Sequence, residues 1–176
     1  MACFPLASPA VSELSITEAG VEDIGTVHEF VLALAHYENL AHEATATVDD
    51  LRHLLFGPRR FADAVIARLR GQPVGFALFF HNVSTFAGKP GLFVEDLFVK
   101  PEFRRRGIGR ALLQHIAGLA VARGCQRMEW MALDWNRPAL DCYAALGARV
   151  RKGWVVLRLE ASAMNSLAIP SPQPSP

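Results

Sequence analysis

Cysteine is scarce. There are three in 176 residues, Cys3, Cys125 and Cys142, odd in number and without a CxxC pair. A disulfide framework and a thiolate metal cluster are therefore not expected, and the thiols read as reduced ones in a cytoplasmic protein. Charge of one sign is also lacking: 18 Lys and Arg face 17 Asp and Glu, leaving +1. No global field pulls such a chain toward nucleic acid or a membrane, and neither partner is expected. No apolar run approaches the roughly 20 residues of a membrane span. The start of the chain has no basic stretch followed by an apolar one, so no secretory signal is expected. The six histidines (His28, His36, His42, His53, His81, His115) show no metal-ligand spacing, and no metal is expected. No internal repeat is present.

What the chain does have is the balance of a globular protein: 51% hydrophobic and 20% charged residues, in a length that fits one domain. Residues 1–11 carry prolines without any period and read as a flexible leader. Residues 161–176 end in IPSPQPSP and read as a disordered Pro/Ser-rich tail. A single domain over 12–160 lies between them. Its first strand is predicted at 14–18. Ile24, Val27, Val31 and Leu34 recur at helical spacing. Thr47, with Asp50 three residues on, opens a second helix that Gly57-Pro58 ends. Strands are predicted over 62–69 and 74–81, joined by a turn at Arg70-Gly-Gln-Pro, and over 91–99. A long helix comes next over 107–123, with Gly124 as its stop. The pattern closes with a strand over 127–133, a helix over 138–146 ended by Gly147, and a last strand over 154–159. Hairpins early and crossovers late predict an α/β (α+β) architecture, a mixed sheet covered by helices on both faces.

The most informative stretch is Glu95-Asp-Leu-Phe-Val-Lys-Pro-Glu-Phe-Arg-Arg-Arg-Gly-Ile-Gly-Arg110, a strand, a glycine-containing turn and a helix start. Gly107 and Gly109 lack a Cβ, so a ligand can approach the backbone there. The first amides of a helix have no internal partners and carry the positive end of the macrodipole, which suits a pyrophosphate. Arg104, Arg105, Arg106 and Arg110 add cationic donors. A lone GxG also fits a plain helix start beside a solvated basic run. A Walker A loop is excluded because no Gly-Lys-Ser/Thr comes after it. A dinucleotide fingerprint lacks its third glycine. A nucleic-acid patch is opposed by Glu95, Asp96 and Glu102 and has no aromatic platform.

Arg104-Arg-Arg-Gly-Ile-Gly109 resembles the Q/R-x-x-G-x-G/A motif of the GNAT N-acetyltransferase superfamily. Within it the chain is similar to the diamine acetyltransferase branch, which holds the spermidine/spermine and thialysine enzymes. The matching pieces are Leu34-Ala-His-Tyr-Glu38, Val94-Glu-Asp-Leu-Phe-Val99, Glu129-Trp-Met-Ala-Leu-Asp-Trp-Asn136, Tyr143-Ala-Ala-Leu-Gly-Ala148 and Gly153-Trp154. The resemblance implies a mostly antiparallel sheet with a V-shaped split between the strands at 91–99 and 127–133, where acetyl-CoA would lie. It also implies a homodimer. The CoA-binding residues it implies are Leu97, Phe98, Val99, Arg104, Arg105, Arg106, Gly107, Ile108, Gly109, Arg110, Asn136, Ala139 and Tyr143. Those it implies for the amine are Tyr37, Glu38, Glu95, Glu129, Trp130, Met131 and Trp154.

Asn136 can cap the helix it precedes, with Pro138 in the first turn. Tyr143 lies two turns further along. On the residues alone it reads first as a half-buried core aromatic with a wet hydroxyl. The resemblance implies that it lies near the CoA sulfur and protonates the departing thiolate. Aminolysis of a thioester needs a neutral amine, an acceptor for its proton, a stabilised oxyanion and a donor for the thiolate. Tyr143 is the expected general acid and Glu95 the expected base or amine-binding group. A backbone amide near Phe98 or Val99 is expected at the oxyanion if the strand carries a bulge. Glu95 and Asp96 adjoin on a strand, so simple alternation lets at most one face the cleft. Direct attack in a ternary complex needs no covalent nucleophile, and Cys142, a helical neighbour of Tyr143, points away from it.

The expected acceptor is the primary amine of a small molecule: a diamine, a polyamine or a thialysine-like amino acid. Spermidine/spermine acetyltransferases carry an acid where this chain has Ser84. They also carry acids where it has the basic Arg149-Val-Arg-Lys152. Both changes disfavour a long polycation, so a short amine is expected to win over spermine. Two other readings stand beside this one: acetylation of a protein or peptide amine, and a CoA-binding regulatory module without turnover.

Overall fold

The structure is a computed structural model that describes residues 13–168; the leader expected over 1–11 lies outside them. Its strands are β1 (Leu14–Glu18), β2 (Asp63–Leu69), β3 (Gln72–Ser84), β4 (Lys89–Val99) and β5 (Met128–Trp130). Its helices are α1 (Ile24–Tyr37), α2 (Val48–Phe56), α3 (Ile108–Ala122), α4 (Arg137–Ala145) and α5 (Ala161–Leu167). Among the described residues no helix is long and apolar enough to cross a membrane.

Local chemistry sets the boundaries. At the start of α2 the Asp50 amide donates to Thr47 Oγ1 at 3.2 Å, and the Thr47 amide donates to the Asp50 carboxylate at 2.8 Å. Both orphan donors of the first turn are thereby met. Bonds from Thr47 also hold the Asp50 carboxyl below the usual aspartate range. The β2–β3 hairpin closes over Arg70 and Gly71, whose φ angles of 53° and 79° are the pair that a twist-matched two-residue turn needs.

The five strands lie in the order of the sequence, antiparallel except for β4 and β5, which run parallel and are joined through α3. α1 and α2 cover one face, where Phe30, Leu51 and Leu55 meet Ile66, Phe76, Leu78 and Phe98. Phe30 and Phe76 stack with centroids 5.3 Å apart. α3 covers the other face, setting Ile108, Leu112 and Ile116 against Val65, Ala77, Phe79, Leu92 and Val94. The mixed sheet with helices on both faces is as expected.

Two features of β4 shape the cleft at its end. It pairs with β5 only at Leu92–Met128, Phe93–Glu129 and Val94–Trp130. Beyond that point the two strands part, so β5 is shorter than the predicted 127–133. Against β3, Leu78 faces Asp96 while Phe79 faces Val94, which leaves Glu95 as the extra residue of a bulge. The bulge switches the alternation. Leu92 and Val94 point to the α3 face before it, and Leu97 and Val99 after it, while Phe98 turns to the α1 face.

The end of the chain departs from expectation. The strand predicted over 154–159 does not form, and every residue from 149 to 168 is exposed. Trp154-Val-Val-Leu has strand character but pairs with no strand among the described residues. Where a disordered tail is expected from 161 onward, α5 occupies Ala161–Leu167; residues 169–176 lie outside the described ones.

Candidate active site

The turn after β4 is built to leave donors free. Arg105 and Gly107 take left-handed backbone, with φ of 60° and 82°. Gly107 is the N-cap of α3, yet no side chain caps that helix and its first turn holds no acid. Its first amides therefore keep the free, positively polarised edge that an anion would use. A Cβ built on Gly109 would meet only Val99 Cγ2, at 3.8 Å, and one on Gly107 would meet nothing within 4 Å. The glycines thus leave open space in front of the helix.

The arginines of this turn differ in their engagements. Arg104 Nε donates to the Val99 carbonyl at 2.9 Å. Its guanidinium lies 4.2 Å from the Tyr37 ring centroid and 5.6 Å from that of Phe98. Arg106 lies over Phe103. Arg110 reaches a wide groove of 1360 Å³ between α3 and α4, lined also by Leu113, Gln114, Trp130, Leu140 and Tyr143.

Tyr143 lies on α4 and meets Trp130 edge to face, 5.2 Å between centroids. Burial, with Cys142, Glu38 and Tyr37 adding to it, pushes its phenol up to about 12. The hydroxyl therefore keeps its proton throughout the neutral range. Asn136 caps α4, its Oδ1 accepting from the Ala139 amide at 3.4 Å. The same oxygen accepts from Tyr37 Oη at 3.3 Å.

Carboxylates gather at the split. Burial, with Glu95 and Glu38 nearby, pushes Asp96 up to about 6. Burial alone raises Glu38. Glu38 acts on both Asp96 and Tyr143, so α1 brings its C-terminal end to the place where β4 and α4 also meet. Simple alternation fails here: the bulge leaves Glu95 exposed and makes Asp96 the more enclosed, half-buried acid. Sequence reasoning does not single out Asp96. A bulge has no signature within one strand, because it is defined by the partner's register.

Of the residues expected at the amine, Tyr37, Glu38, Glu95 and Trp130 come together around the split. Glu129 does not stand free: it accepts from Asn82 Nδ2 at 2.9 Å and pairs with Arg127 Nε at 2.8 Å. Met131 is exposed. Trp154 is 72% exposed on the segment after α4 and lines no part of the groove, so within one chain it is not brought to the site. Of the residues expected at CoA, Leu97 and Val99 lie on β4 past the split, packed against the α3-side core, and Phe98 is buried on the opposite face. Ile108 is buried in the first turn of α3.

Residues 31–148 match the model of the acetyltransferase (GNAT) family. The chain is 34% identical over 164 residues to the thialysine N-epsilon-acetyltransferase of Bos taurus, covering 87% of this chain and 96% of that one. It is 36% identical over 126 residues to the L-ornithine N5-acetyltransferase of Arabidopsis thaliana, covering 72% of this chain and 52% of that one. Among solved structures, an integron cassette protein from the mobile metagenome of V. cholerae superposes with a TM-score of 0.74 at 24% identity, covering 88% of this chain and 97% of that one.

Proposed function

Because the chain belongs to the GNAT acetyltransferase family and is an acetyl-CoA-dependent N-acetyltransferase, we propose that it acetylates the side-chain amine of a short amino acid such as thialysine or ornithine, or a small diamine, by direct attack in a ternary complex. One observation carries the reading: the half-buried Tyr143 phenol and three carboxyl groups, Glu38, Glu95 and Asp96, gather at a single split between two parallel strands.

Bound acetyl-CoA supplies an acetyl thioester, an electrophile with a good leaving group. The residues that would hold it are Gly107, Ile108, Gly109 and Arg110 at the diphosphate. Arg105 and Arg106 add charge around them, and Arg104 steadies the turn. Leu97, Phe98 and Val99 would serve along their β4 backbone, and Asn136, Ala139 and Tyr143 on the α4 side. The free amides and open glycine space of this turn fit an anion. Tyr143 Oη donates toward the departing sulfur. Glu95, exposed on the bulge, takes the proton of the incoming ammonium, directly or through water, while Asp96 and Glu38 make the pocket attractive to a cation. Tyr37, Trp130 and Met131 would wall the arm of the amine.

We also propose a homodimer. The exposed apolar segment after α4, the uncovered outer edge of β5 and the open groove beside it support it. A second copy would bring Trp154 toward the amine pocket. Free Cys125 and exposed free Cys142 suit a reducing compartment, the cytoplasm.

The basic segment Arg149–Lys152 repels a distal ammonium and suits a carboxylate, which favours an amino acid over spermine. The test is the value of kcat/KM for thialysine, ornithine, a small diamine, spermine and a lysine peptide. A higher value for thialysine or ornithine than for spermine and the peptide is expected. A clear win for spermine would overturn the substrate assignment, and a win for the peptide would move the acceptor to proteins.

A further inference from the structure

α4 carries the phenol that the proposed chemistry needs, yet it buries no residue of its own. With only Ala139, Leu140 and Tyr143 half-buried, α4 is weakly held by hydrophobic packing, and its position depends more on a few specific contacts. One lies in its body, the edge-to-face contact of Tyr143 with Trp130. The others lie at its N-terminal end and converge on Tyr37. Tyr37 Oη donates to Asn136 Oδ1 at 3.3 Å, and its ring lies 6.0 Å from that of Trp135.

Tyr37 is itself firmly placed. It is the last residue of α1, whose Ile24, Val27 and Phe30 are anchored in the core. Its ring carries the Arg104 guanidinium at 4.2 Å, and that arginine is fixed from the other side by the Val99 carbonyl. A rigid path thus runs from β4 and α1 through one phenol to the cap of α4. Asn136 Oδ1 uses its two lone pairs for two tasks, holding the Ala139 amide and receiving Tyr37. Tyr143 comes seven residues later, two helical turns along.

From this geometry we infer that Tyr37 is a positioning residue: it holds α4, through Asn136, at the separation from β4 at which Tyr143 meets the departing group. The inference rests on Tyr143 as the acid, and it gives Tyr37 a task other than contact with the amine. Its hydroxyl acts on the turnover step and not on the capture of substrate. A misplacement of about 1 Å at such a group costs up to ~10²-fold in rate.

The test is a double-mutant cycle in the full chain. Tyr37→Phe keeps the ring under Arg104 and removes only the hydroxyl. It should lower kcat by ~10- to 100-fold while the amine KM stays within about twofold. In a Tyr143→Phe background the same change should do almost nothing further, because it acts through a group already removed. Amide hydrogen exchange gives a readout besides activity: amides of α4 should exchange faster in Tyr37→Phe, and those of α3 should not. A raised amine KM with kcat retained would make Tyr37 a substrate contact and overturn the inference. So would an additive cycle, or unchanged exchange in α4, with Tyr143 still the acid. An undiminished kcat in Tyr143→Phe alone would instead remove the acid, and the positioning role with it.

Discussion

At the scale of single residues, Asp96 has a consequence for stability that the reaction does not require. Its ordinary value is 3.8, and burial among Glu95 and Glu38 moves it to about 6 in the folded chain. The folded state therefore holds this proton more tightly than the unfolded one. Stability from this group is greatest below about pH 4 and falls as pH rises through 6, where the half-buried carboxylate must ionise. The cost above pH 6 is about 3 kcal/mol at most. Asp96→Asn should therefore raise the Tm at pH 7.5 and leave it nearly unchanged at pH 4, as read by thermal unfolding at both values. Equal stabilisation at both would assign the gain to packing. Asp96 also marks where a sequence reading reaches its limit. Glu95 and Asp96 read as a simple alternating pair until the register against Leu78 and Phe79 is known, and that register is a property of two strands together.

Whole elements were more legible, where their signals are local. The Thr47–Asp50 box, the Arg70-Gly71 turn, the glycine stop at Gly124 and the Gly107–Gly109 helix start are each written within a few residues, and each stands where it was expected. The strand over 154–159 was legible as a pattern but not as a structure, because a strand needs a neighbour and none stands beside it among the described residues. The two glycines before and within α3 now separate into different jobs. Gly107 needs its left-handed φ of 82°, which costs a residue with a Cβ roughly 1–2 kcal/mol. Gly109 is helical and faces only the tip of Val99. Gly109→Val should accordingly keep the Tm within a few degrees and lose most of the upward shift that millimolar acetyl-CoA gives the wild type by mass action. Gly107→Val should lower the Tm of the free protein. A wild-type-like shift in Gly109→Val would show that CoA does not approach the turn at this glycine.

At the scale of the molecule, the two halves of the core lie on the sheet's two faces, while among the described residues nothing pairs with the outer edge of β5 and the segment 149–168 is exposed. An edge strand beside an exposed apolar segment is a template for pairing. The full chain should sediment at twice its mass of 19.3 kDa. Removing residues 154–168 should give a monomer with the fold retained in far-UV circular dichroism and with lost activity. A full-length monomer that turns over normally would show that the segment serves no assembly. The same open edge puts a clock on the newly made protein. If each copy finishes its site only by meeting another, maturation is second order in chain concentration. Halving the concentration of fresh chains then slows their initial assembly about fourfold, and the lag before full activity after dilute refolding becomes a direct measure of encounter.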